Sequence, residues 1–266
     1  MAAKKRAIHE DFSPGPSPRW KRYVVGDGTL EPTGSTLLFV NTDTSAHRYT
    51  NAQIDDYQGL PRRGLLWRPP LKMSVRARFS HEAGQLSGTA GFGFWNDPFM
   101  MTGRLLPTLP RVVWFFYASP PSDMKLDLQT PGHGWKAATL DAMRLSFLLL
   151  APTAPIVVPL MNIGAFYRAL WPLGQRAIGV SEASLDAAMT EWHTYVVNWG
   201  TKAVRFSVDG ELALESASSP AGRLGFVMWL DNQCTVVKPW GRFGFGVLEA
   251  PGRQWMEVDT LTIEPG

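Results

Sequence analysis

The sequence predicts an all-β sandwich that carries a helical, apolar insertion. Short apolar runs separated by Gly, Pro and Asn recur in both halves of the 266-residue chain, a pattern typical of a sandwich or barrel. The 25 glycines and 21 prolines exceed average usage and indicate many turns. Between the two β regions, residues 128–190 lose this pattern and take on a helical composition.

The N-terminal region predicts a tail followed by one domain. Residues 1–20 are expected to be flexible, because the Pro-rich run Ser13–Pro18 suits neither a ladder nor a helix. Residues 21–266 fit a single domain, since sandwiches often reach about 200–250 residues. The basic run Lys4–Arg6 is expected to be solvated. No apolar stretch follows it, so we expect no signal peptide and a cytoplasmic protein.

Strand patterns are clearest on the two sides of the insertion. Met73–Phe79 alternates strictly between apolar and polar residues, as expected of a half-buried strand. Gly91–Trp95 and Val112–Tyr117 predict two more strands. The C-terminal region predicts strands at Trp192–Trp199, Ala203–Val208, Leu224–Leu230, Phe243–Val247 and Met256–Ile263.

The insertion, at about residues 128–190, is predicted to be helical at Ala137–Leu150 and Leu160–Leu170, with a short capped helix at Ser181–Met189. Leu145–Tyr167 contains no charge and is long enough to span a bilayer. Three prolines interrupt it, and one crossing would separate the two halves of the sandwich, so we expect no span. It remains a packing element, a lid over an apolar site, a peripheral membrane-docking surface or a homo-oligomer contact.

The C-terminal strands resemble a known family. Glu191–Trp199 with Ala203–Gly210 is similar to a strand pair of laminarinase-type (family 16) glycoside hydrolases, and Met256–Ile263 resembles their closing strand. Gly93–Trp95 lies where that family has an aromatic strand. The resemblance implies a concanavalin A-like jelly roll whose concave sheet forms a ligand groove.

The acidic motif of that family is missing at the expected place. The resemblance implies Glu-x-Asp-x-(x)-Glu on the active strand, with two carboxyl groups about 5–5.5 Å apart for retaining hydrolysis. The corresponding strand, Arg111–Tyr117, has no carboxylate. Glu257 and Asp259 have a similar spacing but are expected to face solvent. We therefore expect no ordinary family-16 hydrolysis.

Candidate site residues follow from alternation and from strand ends. Val112, Trp114 and Phe116 share one face of their strand and predict an aromatic groove wall. Asp97 and Asp231 each follow a Trp by two residues, and an apolar wall raises a carboxyl pKa as a general acid requires. Both acids are therefore catalytic candidates. The substrate-binding candidates are Trp95, Asn96, Trp114, Phe116, Trp229, Asn232 and Tyr57. The alternative is that the aromatic residues are core and the polar ones are turn residues.

Other chemistry lacks a signal in the sequence. The five His and Cys234 form no metal-ligand spacing, and no nucleophile elbow or phosphate loop is present, so we expect no metal and no cofactor. The net charge of +3 comes without a basic stripe, so no nucleic-acid partner is expected.

Three function classes remain open. The first is an intracellular enzyme or binder for a partly apolar small molecule, working by cofactor-independent isomerisation, cyclisation or elimination. The second is a carbohydrate-binding protein or a glycoside hydrolase with relocated acids. The third is a non-catalytic protein that docks on a membrane or a partner.

Overall fold

The computed structural model describes residues 7–99 and 106–266. The described strands are β1 Ile8–Glu10, β2 Lys21–Val25, β3 Gly28–Pro32, β4 Leu37–Thr44, β5 Asn51–Asp55, β6 Leu71–Phe79, β7 Thr89–Trp95, β8 Arg111–Ala118, β9 Asp123–Met124, β10 Gly134–Asp141, β11 Ser181–Ser184, β12 His193–Trp199, β13 Val204–Val208, β14 Glu211–Ser216, β15 Gly225–Asp231, β16 Gln233–Val237, β17 Phe243–Val247 and β18 Ala250–Pro265. The described α-helices are α1 Leu145–Leu150, α2 Ala154–Leu160 and α3 Gly164–Ile178.

Two antiparallel sheets form a jelly-roll β-sandwich. Sheet A has the order β14-β13-β12-β6-β18-β4-β3, and β1 pairs with the end of β18. Sheet B has the order β11-β10-β8-β7-β15-β5-β2. A smaller sheet, β17-β16-β9, extends from the end of β15. The prediction of an all-β jelly-roll sandwich with a helical insertion is therefore confirmed.

The hydrophobic core lies between sheets A and B. Its centre is an aromatic cluster in which Phe115 lies 5.6 Å from Phe92 and 5.1 Å from Tyr195, measured between ring centroids. Trp135 packs edge-on against Tyr195 at 5.4 Å. Successive residues of a strand point to opposite faces of its sheet. The residues of sheet B that alternate with its core residues therefore point to its outer surface.

The outer face of sheet A carries ion pairs. Arg78 contacts Glu257 at 2.7 Å and Arg76 contacts Asp259 at 2.9 Å, while the neighbouring Val258 is buried in the core. Glu257 and Asp259 thus lie away from the core, as the sequence predicts, and on the sheet opposite the aromatic groove wall.

The flexible-tail prediction for residues 1–20 is wrong where the structure describes them. Ile8–Glu10 pairs with Leu261–Ile263 in sheet A. Phe12 and Trp20 are buried, and the Trp20 indole N–H donates to the Glu10 carboxylate at 2.8 Å. Residues 8–20 are ordered because two large aromatic side chains are buried, one on each side of the Pro-rich run, and this fixes the run in place. Lys4–Arg6 lies outside the described residues.

The insertion is shorter than predicted. Ala137–Asp141 belongs to β10 and pairs with β8, and Ser181–Ser184 forms β11 rather than a capped helix. Composition misleads here, because small alanines fit a strand that lies beside the bulky residues of β8. The helical part is residues 145–178, which we call the helical cap. No helix among the described residues is long and apolar enough to cross a membrane.

Candidate functional site

The site begins with the two faces of β8 in sheet B. Val113, Phe115 and Tyr117 point into the core, whereas Val112, Trp114 and Phe116 point outward. This is the alternation that the sequence predicts. The outward residues line a cavity of about 560 Å³, and Trp114 stays partly exposed there.

Glycines in β7 make room for this cavity. Gly91 and Gly93 lie on the outer face between the large side chains of β8 and β15. A Cβ on Gly93 would lie 2.6 Å from the Trp114 Cβ, and a Cβ on Gly91 would lie 2.3 Å from the Phe115 carbonyl oxygen. Their φ angles, +150° and +158°, are also values that L side chains rarely adopt. The two glycines therefore allow indole rings to lie across β7.

Four aromatic residues form one wall of the cavity, which we call the aromatic wall: Trp95, Trp114, Phe116 and Trp229. Trp114 is central, with ring centroids 5.0 Å from Phe116, 5.5 Å from Trp229 and 6.0 Å from Trp95. The Trp114 and Phe116 rings are stacked, with 19° between their planes. Such a wall offers flat apolar surfaces and negative ring faces to a ligand.

The helical cap and the β16–β17 hairpin close the cavity on the opposite side. All three α-helices contribute apolar lining residues, and the hairpin contributes Val237, Phe243 and Phe245. The Trp171 indole N–H donates to the Leu126 carbonyl at 2.7 Å and ties α3 to the body of the protein. Of the options left open for the insertion, a lid is the one that matches the side of the helical cap that lines the cavity.

A polar end of the cavity is built around Asp231, which is only 3% exposed. Its Oδ1 accepts hydrogen bonds from the Thr89 hydroxyl at 2.7 Å and from the Gln233 backbone N–H at 3.0 Å. Its Oδ2 accepts one from the Tyr49 hydroxyl at 3.1 Å. The Trp229 indole N–H donates to the Thr89 hydroxyl oxygen at 2.9 Å, which connects the acid to the aromatic wall.

Burial raises the pKa of Asp231 to about 6, against an ordinary value of 3.8. The hydrogen bonds from Thr89, Gln233 and Tyr49 oppose this rise, but desolvation is the larger effect. Burial and the neighbouring Asp231 also raise the pKa of Tyr49, so its phenol stays protonated and acts as a donor. Asp231 can therefore hold or release a proton near neutral pH.

A second polar pair lines the cavity on the far side of the aromatic wall. The Lys136 ammonium lies 3.3 Å from the Glu182 carboxylate, and both side chains are almost fully buried. Burial raises the pKa of Glu182, and the Lys136 charge partly offsets this. Lys136 also donates to the Pro131 carbonyl at 3.0 Å. This pair balances its own charges, whereas no cation contacts Asp231 among its described hydrogen-bond partners.

Asp231 and Glu182 are the two carboxylates among the described residues that line the cavity. They stand on β15 and β11, which are separated by three strands in sheet B. Four steps of about 4.8 Å place these strands about 19 Å apart. Glycosidases that use two carboxylates need them about 5–9.5 Å apart. These two acids therefore do not form such a pair.

The structure separates the predicted site residues into two groups. Those lining the cavity are Asp231, Trp95, Trp114, Phe116 and Trp229. The others, Asp97, Asn96, Asn232 and Tyr57, are buried outside its lining. The predicted pairing of Asp97 with the aromatic wall is thus not observed.

Three of the outside residues have structural contacts. The Tyr57 hydroxyl accepts a hydrogen bond from the Trp95 indole at 2.6 Å and so orients that ring from behind. Asn232 donates to three backbone carbonyls, of Ser45, Arg48 and Leu248, and thereby holds the loops at the end of β15. Asn96 accepts from the Arg111 backbone N–H at 2.9 Å, which fixes the start of β8.

Asp97 follows the end of β7 and has a φ of +45°. Its backbone carbonyl accepts a hydrogen bond from Arg62 at 3.2 Å. The left-handed residue breaks the alternation that would otherwise bring Asp97 to the same face as Trp95.

Several cavity residues are missing from the sequence prediction: Tyr49, Gln53, Thr89, Lys136 and Glu182. Thr89 could have been found, because it lies six residues before Trp95 in the same strand and so shares its face. Lys136 directly precedes the helix predicted at Ala137–Leu150 and Glu182 lies in the one predicted at Ser181–Met189, so the sequence pattern does not place either residue in a sheet. Among the described residues, no group of three or more His, Cys, Asp or Glu is arranged to hold a metal ion.

No protein-family model and no curated protein matches the chain in sequence. Solved structures do match in fold. The β-glucanase of Bacillus licheniformis superposes with a TM-score of 0.53 at 11% identity, covering 98% of both chains. A laminarinase from Flavobacterium sp. UMI-01 gives a TM-score of 0.50 at 12% identity, covering 97% of this chain and 98% of that one.

A third similar structure is the GlcNAcα1-4Gal-releasing endo-β-galactosidase of Clostridium perfringens. Its TM-score is 0.57 at 12% identity, and the match covers 99% of this chain and 62% of that one. At such low identity these likenesses establish the fold. They confirm the resemblance to laminarinase-type jelly rolls that the C-terminal strands indicate.

Proposed function

We propose that the capped cavity binds a partly apolar small molecule and that Asp231 exchanges a proton with it. The observation that carries the proposal is the Asp231 carboxyl group, which has a pKa raised to about 6 and lies beside the aromatic wall of a largely apolar cavity, whereas the other lining carboxylate, Glu182, is paired with Lys136. Small-molecule sites typically enclose about 300–1,000 Å³ and combine apolar walls with a few polar groups. The cavity of about 560 Å³ fits that description.

A polymeric glycan fits this cavity poorly. The helical cap covers the face of sheet B that would have to admit an extended chain. The aromatic wall could stack on sugar rings, but most of the remaining lining is aliphatic and offers no partners for hydroxyl groups. The distance between Asp231 and Glu182 also speaks against two-carboxylate hydrolysis. A carbohydrate-related role remains the alternative that the fold suggests.

The proposed chemistry is a protonation followed by a deprotonation. Asp231 gives its proton to an alkene carbon, or to an epoxide or carbonyl oxygen, and a cation forms on the ligand. The faces of Trp114 and Trp229 stabilise that cation by about 0.5–2 kcal/mol each. A neighbouring carbon then returns a proton to the Asp231 carboxylate. The product is an isomer of the substrate, so no co-reactant is needed.

Binding is tested with a fluorescent anilinonaphthalene sulfonate probe, whose emission is excited through the tryptophans of the aromatic wall. Ala138 lines the cavity on β10, and Ala138→Phe fills part of it. This variant should stay folded and lose at least about tenfold in affinity, since occupied space excludes the probe. The control is Ala221→Phe at an exposed position outside the cavity. Equal affinity in all three proteins would refute binding in the cavity.

Catalysis is tested by incubating the protein with panels of alkenes, epoxides and conjugated ketones and searching for products of unchanged mass. Asp231→Asn keeps the shape of the side chain and removes the ionisable proton. The variant should still bind but lose about 100- to 10,000-fold in turnover. Full turnover by Asp231→Asn would refute the role of Asp231. Release of reducing sugar from laminarin or lichenan at about 1–1,000 per second would favour the glycan alternative instead.

A further inference from the structure

The outer surface of the helical cap is unusually apolar. Leucines, isoleucines and a phenylalanine of α1, α2, α3 and the turn before α3 are exposed, and Leu145, Leu149 and Ile156 are each about 70% exposed. The other large apolar residues of the cap that are exposed are Leu148, Leu150, Leu160, Ile163, Phe166 and Leu173. We call this set of nine the cap face. Contiguous apolar surfaces of this kind are rare on monomers and mark interaction sites.

The cap itself contains basic residues and no acidic ones, and the Asp127 carboxylate of a neighbouring loop accepts a hydrogen bond from the Gln175 amide of α3. Between Asp141 and Glu182 the chain has three arginines, Arg144, Arg168 and Arg176, and no acid. Such a combination of apolar and cationic residues matches the interface of an anionic bilayer.

A second cationic feature lies next to the start of the cap. Arg62, Arg63, Arg111 and Arg223 surround a depression of about 420 Å³, together with Met143. We call it the arginine pocket. Arg63 and Arg223 are exposed at its rim, and Met143 is two residues from Leu145 of the cap face. Arg111 is ion-paired with Asp141 at 2.6 Å, so the positive charge that the arginine pocket adds beside the apolar surface comes from its other three arginines.

The cap face is continuous with the mouth of the cavity. Six large apolar residues among those described line the cavity and are also exposed: Phe99, Leu109, Leu150, Leu173, Phe243 and Phe245. The Phe99 and Phe245 rings contact each other edge-on at a centroid distance of 6.0 Å. An apolar molecule leaving the cavity would therefore pass directly onto an apolar surface. A bilayer would both cover this apolar surface and supply apolar molecules to the cavity.

We propose that the cap face and the arginine pocket dock this protein on an anionic lipid bilayer, with the mouth of the cavity against the membrane. Since no described helix is able to span a bilayer, the short helices lie in the interfacial layer. Lateral entry of a lipid-dissolved ligand rests on the function proposed above, whereas docking itself is measured on the protein without ligand.

The test is co-sedimentation of the intact protein with vesicles of phosphatidylcholine alone and of phosphatidylcholine mixed with phosphatidylglycerol. The wild type should sediment with the mixed vesicles and remain largely in solution with the neutral ones. Binding should weaken at about 1 M salt, where the Debye length is about 3 Å. Leu145→Glu/Leu149→Glu should reduce the bound fraction at least about tenfold, and Arg63→Glu/Arg223→Glu should reduce it comparably.

Leu212→Glu is the matched control, because Leu212 is an exposed leucine of β14 in sheet A, away from the cap. It should bind vesicles like the wild type. The proposal is overturned if the wild type ignores anionic vesicles, or if the cap variant binds as well as Leu212→Glu. It is also overturned if light scattering shows a wild-type dimer that Leu145→Glu/Leu149→Glu converts to monomers without vesicle binding. In every case the probe-binding result for Ala138→Phe stands separately, so failure of docking and failure of the cavity site are distinguishable.

Discussion

The Tyr49 hydroxyl donates a hydrogen bond to the Asp231 carboxylate at 3.1 Å, at the polar end of the cavity. Tyr49 comes shortly before β5 and Asp231 ends β15, and these strands are neighbours in sheet B. The contact gives the buried acid a protonated partner on the side opposite Thr89. Two opposing effects therefore set the pKa of Asp231: burial raises it, and the hydrogen bonds from Thr89, Gln233 and Tyr49 lower it.

The first prediction concerns pH and the stability of the fold. The folded-state pKa of Asp231 is about 6 and its ordinary value is 3.8, so between these values the folded protein holds a proton that the unfolded chain has released. Stability therefore falls as pH rises through this window, by about 3 kcal/mol for a shift of two units. Asp56, whose pKa burial raises to about 7, acts in the same direction. Denaturant unfolding at pH 8 and pH 5 should show greater stability at pH 5.

In Asp231→Asn this pH dependence should become shallower, because the contribution of Asp231 is lost while those of the other buried acids, Asp55, Asp56 and Glu182, remain. The variant should also be more stable than the wild type at pH 8, since a buried charge has been removed. Parallel pH profiles of the two proteins would contradict the raised pKa of Asp231.

The second prediction concerns Tyr49→Phe. The hydrogen bond from Tyr49 stabilises the ionised form of Asp231 and lowers its pKa. Removing the hydroxyl should therefore raise the pKa of Asp231 above about 6, which carbon NMR of the labelled carboxyl can follow. The free energy of unfolding should fall by about 1 kcal/mol at pH 8, the usual net value of a hydrogen bond. An unchanged or lower pKa would show that Tyr49 does not act as the donor.

The aromatic wall could be predicted from the sequence because alternation in β8 is local. Trp114 and Phe116 lie two residues apart, and every second residue of a strand faces the same side. The same rule places Asp231 beside Trp229, since β15 continues through residue 231. It fails for Asp97, since β7 ends at Trp95 and the chain then enters a left-handed conformation. A dipeptide pattern alone does not reveal where a strand ends.

Residues of the cavity that depend on distant pairing could not be predicted. Lys136 and Glu182 lie close together because β10 pairs with β11, although the helical cap separates these two strands in the sequence. Both segments contain alanines, so their composition favours helices. Pairing within sheet B makes them strands instead. The N-terminal strand is a similar case, because Ile8–Glu10 is ordered by pairing with β18 at the opposite end of the chain.

The third prediction concerns the glycines beneath the aromatic wall. Gly93→Ala would place a Cβ 2.5 Å from the Val113 carbonyl oxygen and 2.6 Å from the Trp114 Cα. These are backbone atoms of a central strand, so relief requires β7 and β8 to move apart. We expect a loss of about 3 kcal/mol or more in the free energy of unfolding. Probe affinity should fall as well, because Trp114 is displaced.

Gly34→Ala is the control for Gly93→Ala. Gly34 also has a positive φ, of +74°, but an added Cβ there meets no atom within 4 Å. The Gly34→Ala protein should lose only about 1–2 kcal/mol in the free energy of unfolding, the cost of a left-handed backbone for a residue with a Cβ. Its affinity for the probe should be unchanged. Equal losses in the two variants would mean that close packing at Gly93 has no special role.

The fourth prediction concerns the buried pair of Lys136 and Glu182. Lys136→Met leaves the Glu182 carboxylate buried without its cation, and such a loss typically costs about 3–5 kcal/mol. The double variant Lys136→Met/Glu182→Leu removes both charges and should recover most of that loss, because the surroundings are largely apolar. Urea unfolding of the wild type, both single variants and the double variant gives the coupling energy.

The exposed pair of Arg205 and Glu215, on β13 and β14 at the edge of sheet A, provides the comparison. Truncating Arg205 to Ala should cost less than about 1 kcal/mol, since solvent screens an exposed pair. If the Lys136→Met/Glu182→Leu protein instead stays as unstable as Lys136→Met, the ion pair holds β10 and β11 together through its geometry. The probe would then bind more weakly to the double variant, because a displaced β11 opens the wall of the cavity beside the cap.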